Sequence, residues 1–141
     1  MLNRKHWAIG ILLTLAPTAH AIEPANIDLY CKYTHTKDKS GEESPWNIDP
    51  SFNIRIASDG STVITSTSRW LDCKEWRGKS DQHSIQGYCR KVDSLAEKEE
   101  QIEISRIDGK LRHTFIGAAK PGFESYEFVG HGTCRKVETK F

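Results

Sequence analysis

The chain has 141 residues, 20 of them Lys or Arg and 19 Asp or Glu, and its formal charge of +1 gives no electrostatic footprint for nucleic acid or an anionic membrane. This length holds one domain of ordinary size and excludes two separate cores.

The first stretch carries Arg4 and Lys5, an apolar run from Trp7 to Leu15, Pro17, and the small-residue site Ala19-His20-Ala21. Charged, apolar and cleavable regions in that order predict a secretory signal peptide over 1–21. The apolar run is too short for a spanning helix, which needs roughly 20 residues. A retained N-terminal anchor is the alternative. The first cysteine, Cys31, lies too far past Ala21 for lipid attachment. The expectation is a single β-rich domain over 22–141, periplasmic or secreted, with no stable membrane insertion. Loss of Arg4 and Lys5 turns its formal +1 into −1. All four cysteines lie in this part, and an even count in an exported domain implies two disulfides. Three pairings are formally open. Cys31 with Cys134 and Cys73 with Cys89 is favoured, because the first staples the outer strands and the second closes a local loop.

Along the domain, Ile27, Leu29, Cys31 and Tyr33 share one face of a strand over 26–33. Residues 34–50 are polar and turn-rich and predict a long exposed loop. Trp46 and Ile48 interrupt it, and Trp46 either lids a ligand face or plugs one end of the core. Phe52, Ile54 and Ile56 alternate with polar residues, Ser58-Asp59-Gly60-Ser61 turns the chain, and 62–65 return it as a hairpin. Residues 69–76 read as a strand or edge segment, 77–81 as a loop, and 83–92 as a strand with Gly87 as a candidate bulge. Cys73 and Cys89 would sit on neighbouring strands. Residues 93–101 have helix-forming composition, with Asp93 or Ser94 as cap, enough for a turn or two.

The clearest signal is residues 101–115, where Ile102 and Ile104 in one arm and Leu111, His113 and Phe115 in the other keep a period of two around Asp108-Gly109. A two-residue turn there sets Ile102 opposite Phe115 and Ile104 opposite His113. A loop over 117–122 leads to a last strand over 124–137 with Tyr126, Phe128, Gly130-His131-Gly132 and Cys134. Seven or eight short strands make an all-β antiparallel meander, with closure into a small barrel expected and a two-sheet sandwich as the alternative.

The segment Ile104-Ser-Arg-Ile-Asp-Gly-Lys-Leu-Arg, followed by Gly130-His-Gly-Thr-Cys134-Arg-Lys, resembles the endings of small exported bacterial envelope proteins of unknown function. The resemblance covers about the last quarter of the chain. It implies an envelope β-domain and transfers no catalytic residue.

Cys31-x3-His35 and His131-x2-Cys134 offer zinc-type ligands, but an exported dithiol is normally oxidised, so a disulfide with two surface histidines is the simpler reading. Asp72, Glu75, Glu103 and His113 are the acids and base available to a hydrolase. The hairpin register turns Glu103 away from His113, and His113 in phase with Leu111 and Phe115 reads as packing. No nucleophile has a base at recognisable spacing, and no metal or cofactor is expected. Trp46, Trp70 and Trp76, with Tyr30, Tyr33, Tyr88 and Tyr126, offer rings for a sugar or peptide groove, and Arg69, Lys74, Arg77 and Lys79 lie beside Trp70 and Trp76 among interleaved acids. The leading expectation is a binding module, an inhibitor or immunity-type protein that docks on another envelope or secreted protein through residues 34–50 and 70–81. Trp46, Trp70, Trp76, Arg69 and Arg77 are its candidate contacts. An envelope hydrolase is the alternative, and a carrier of a small apolar ligand inside a barrel is a third.

Overall fold

A computed structural model of the chain describes residues 22–69, 71–92, 96–119, 121 and 125–137. The expected signal segment lies outside these residues.

The described residues form nine antiparallel strands and no helix. They are β1 (Ala25–Asp38), β2 (Glu43–Pro45), β3 (Ser51–Ile56), β4 (Ser61–Ser66), β5 (Glu75–Ser80), β6 (Ser84–Val92), β7 (Ala96–Ser105), β8 (Lys110–Ala119) and β9 (Tyr126–Lys136). Strands β3 to β9 pair in chain order, β1 pairs with β3 on one side and with β9 on the other, and β2 hangs from the far end of β1. The β1–β9 pairing closes eight strands into a barrel, so the sandwich alternative falls away.

The long β1 makes this closure. Its first half runs beside β3, from Ala25 opposite Ile56 to Tyr30 opposite Ser51, and Leu29 to Asp38 run beside β9. A bulge at Thr34 shifts the register between Tyr33 and His35 and bends the strand, the usual effect of an extra unpaired residue. Cys31 lies directly opposite Cys134 across the seam and is bonded to it, and Cys73 is bonded to Cys89.

An eight-stranded barrel is just wide enough for side chains to fill it. Inward positions follow the alternation: Phe52, Ile54 and Ile56 on β3, Ile64 on β4, Trp76 on β5, Ile85 on β6, Ile102 and Ile104 on β7, and Leu111, His113 and Phe115 on β8 are all buried. At the lower end lie the start of β1, the end of β9 and the turns 57–60, 81–83 and 106–109. At the upper end lie residues 39–50, 67–69 and 71–74.

Several local expectations are corrected. The 101–115 hairpin has a four-residue turn, closed by Gly109 N–H on Ser105 O at 3.0 Å, with Gly109 at φ 69°. Ile104 therefore faces Leu111 and Ile102 faces His113; the inward set is unchanged because the slip is two residues. Residues 96–101 are strand, not helix, since their charged side chains alternate between the barrel's two faces as β7 pairs on both edges. Residues 34–38 continue β1. Residues 77–80 belong to β5, whose small inward residues Gly78 and Ser80 hid the pattern. Gly87 is no bulge: it faces Gly78 in unbroken register, and Ile64 and Trp76 fill the space beside it. Cys73 lies in the segment before β5 rather than on a strand.

In the chain-entropy view a disulfide closing a loop of about 100 residues stabilises by roughly 5 kcal/mol and one of about 15 residues by roughly 3 kcal/mol. The two bonds here span 103 and 16 residues. Urea unfolding of C31A/C134A should show a larger loss of stability than C73A/C89A, and non-reducing peptide mapping should recover these two pairings alone.

Candidate functional site

Among the described residues, a connected chain of polar side chains runs through the barrel's interior. Tyr33 on β1, His113 on β8 and Glu100 on β7 are all inward, with His113 at 0% and Glu100 at 2% exposure. His113 and Glu100 are diagonal neighbours on paired strands, since Glu100 faces Phe115 and Ile102 faces His113. Tyr33 reaches His113 across the whole width of β9. That is feasible because β9 turns Gly130 and Gly132 inward: a Cβ at Gly130 would come within 2.9 Å of the Tyr33 ring and 2.8 Å of the Trp46 indole.

Burial pushes the Tyr33 phenol far above its ordinary range and holds the His113 imidazole below its own. A protonated phenol and a neutral imidazole assign the hydrogen bonds. Tyr33 O–H donates to His113 Nδ1, and Nε2–H donates to Glu100 Oε2 at 3.0 Å. Glu100 Oε1 accepts the Cys73 backbone N–H at 3.1 Å. The chain thus ends on the segment held by the Cys73–Cys89 bond. Satisfied polar groups of this kind fix one packing of a core, because any alternative leaves a buried group unpaired.

Apolar rings close over it. Phe115 stacks on His113 with centroids 3.9 Å apart, and Trp76 meets His113 edge-on at 5.8 Å. Trp76 Nε1 is buried and has no hydrogen-bond partner among the described residues. Trp46 lies over Tyr33, Phe115 and Phe128 at 4.8, 5.3 and 5.9 Å and plugs the upper end. Its segment is held along β1, where Tyr33 N–H donates to Ile48 O and Cys31 N–H to Pro50 O.

The other candidate residues do not converge. Trp76 is interior, which removes it from the expected contact surface, and Trp70 lies outside the described residues. Arg69 is exposed in the upper segment, and Arg77 is on the outer wall of β5, ion-paired with Glu75 at 2.8 Å. Asp72 pairs with Lys98 at 3.1 Å. Glu103 points outward opposite Arg112, as expected. His35 and His131 stack outside the seam at 4.8 Å, while Cys31 and Cys134 are joined to each other. Among the described residues no group of three metal-ligating side chains occurs. Burial, His35 and Arg112 hold His131 below its ordinary pKa. Tyr30 donates to Asp49 at 3.0 Å under Arg135, away from Tyr88 and Tyr126, so the tyrosines do not form one groove.

Glu100 is the polar residue that sequence reasoning missed. It is in phase with Ile102 and Ile104, and extending that alternation by one step would have placed it beside His113. No protein-family model and no curated protein sequence matches the chain.

Tyr33→Phe strands His113 Nδ1 without a donor and should cost about 1–3 kcal/mol in urea unfolding. Because folding lowers the His113 pKa from its ordinary 6.5, its contribution is complete above that pH and declines as acid protonates the unfolded chain first. Stability measured from pH 7.5 to 5 should therefore fall more steeply for the natural chain than for His113→Gln, by at most about 1.4 kcal/mol per pH unit.

Proposed function

We propose that the chain is a soluble binding module of the periplasm or extracellular space, an inhibitor or immunity-type protein that docks on another envelope or secreted protein through the upper end of its barrel. The observation that carries this reading is that the upper-end segments are tied down before any partner arrives. Lys74 Nζ donates to Ser68 O and Leu71 O at 2.5 and 2.7 Å, which ties both carbonyls to one ammonium. The Cys73–Cys89 bond and the Asp72–Lys98 pair fasten the same segment to β6 and β7. In the β1–β2 turn, Asp38 Oδ1 accepts from Ser40 N–H, Ser40 O–H and Glu42 N–H at 2.8, 2.6 and 3.0 Å. Loops held in place lose little entropy on binding, which favours affinity.

Two disulfides suit an oxidising compartment outside the cytoplasm. An envelope hydrolase is the weaker reading, since His113, the best-placed base, meets no solvent and its ring nitrogens are both engaged inside the barrel.

Arg69 and Arg77 provide the test, being exposed and close to the upper segment. The tagged chain, isolated from envelope extracts of its own host, should carry a stoichiometric protein partner. R69E/R77E should lose it while keeping the natural melting temperature. A clean monomer, or a partner retained undiminished by the folded variant, would refute docking through this end.

A further inference from the structure

The lower end of the barrel is built differently. The interior above it is packed, but between β1, β6, β7 and β9 the mouth stays open as a cavity of about 290 Å³. Its wall is formed by Ile27, Leu29, Ile85 and Ile104, all at inward positions of their strands. Its rim carries Arg106, from the β7–β8 turn, and Lys136, which sits opposite Leu29 on β9. The recess is half open to solvent, so it takes the end of an apolar chain or the edge of a small ring rather than enclosing a whole ligand.

The rim is positively charged and held in place. One Arg106 guanidinium N–H donates to Asp81 O at 2.8 Å, and the Arg106 backbone N–H donates to His83 O at 2.8 Å, which fixes the turn and leaves further guanidinium donors. Val137 N–H on Asp28 O at 2.8 Å fixes the strand end that carries Lys136. Neither cation forms an ion pair with a carboxylate among the described residues. Asp81 feels the charge of Arg106, but its carboxylate is already engaged by His83 and Ser84 N–H at 2.7 Å each.

We propose that this mouth binds a small acidic amphiphile, a medium-chain carboxylic acid in monomeric form, with its tail against Ile27, Leu29, Ile85 and Ile104 and its carboxylate between Arg106 and Lys136. Apolar walls with a few placed polar groups are the general form of small-molecule sites. The charge of the rim selects an acid over an amine or an alcohol of equal tail length. The site lies at the opposite end from the proposed docking surface and does not depend on that reading.

The test titrates the full chain, as isolated, with octanoate and with octylamine below their micellar concentrations, by calorimetry and by isoleucine methyl spectra. Octanoate should give saturable shifts at Ile27, Ile85 and Ile104, and octylamine should not. R106Q/K136Q, its fold confirmed by circular dichroism, should weaken octanoate binding by about tenfold or more. Ile27→Trp should fill the mouth and abolish it. Equal binding of both probes, no saturable methyl shift, or undiminished affinity in the folded R106Q/K136Q variant would overturn the proposal. So would binding only to vesicles of anionic lipid that persists in Ile27→Trp, which would assign the two cations to general surface attraction.

Discussion

Everything in this structure depends on the pairing of β1 with β9. A meander of seven or more strands that fails to close has two edges of unpaired backbone groups, each a template for association with another chain. Here β1 serves both edges: its first half extends the sheet beyond β3 and its second half meets β9. The bulge at Thr34 gives the bend that this double use demands, and the Cys31–Cys134 bond fastens the seam at its middle. Closure also creates the inside of the molecule, since only in a closed barrel can Tyr33 of β1 and His113 of β8 approach one another.

That approach sets the sequence of β9. A strand between two residues that must touch across it has to present nothing inward, and Gly130 and Gly132 do so. The cost of glycine in a strand is accepted where close approach requires it. The polar chain from Tyr33 through His113 and Glu100 to the Cys73 amide then links the seam, the 101–115 hairpin and the disulfide-held upper segment in one connected set. The barrel is thereby a scaffold whose two ends have different character, a plugged and braced upper end and an apolar, cation-rimmed lower one.

The legible parts of the fold were those where alternation was apolar. Ile27 to Tyr33, Phe52 to Ile56 and the arms around Asp108-Gly109 revealed their inward faces directly, and a cysteine on each terminal strand was the reason to close the sheet between them. What was hidden was inward polarity or smallness. Glu100 disguised the first half of β7 as helical composition, because a charged residue in a run of charged residues carries no sign of burial. Gly78 and Ser80 disguised β5 as a loop, because an interior already occupied by Trp76 has room only for small neighbours. The same blindness affected the candidate site. Trp76 looked like surface because basic residues flank it, whereas the flanking charges are the outward half of its own strand. The two-residue slip in the organising hairpin did no harm, since parity, not register, decides which side chains face inward.

The order of the four cysteines has a further consequence for how the chain acquires its bonds. The pairing is nested: the first joins the last and the second joins the third. As the polypeptide emerges from its N-terminus, Cys31 meets Cys73 and Cys89 as free thiols well before Cys134 exists. Oxidation in order of appearance would link Cys31 to Cys73 and lock β1 to the wrong side of the barrel. Thiolate attack on such a bond, by Cys89 or by an isomerase, is what returns the chain to productive pairing. The seam disulfide, unlike the Cys73–Cys89 bond, has to wait for the last strand and joins the two strands whose pairing closes the barrel.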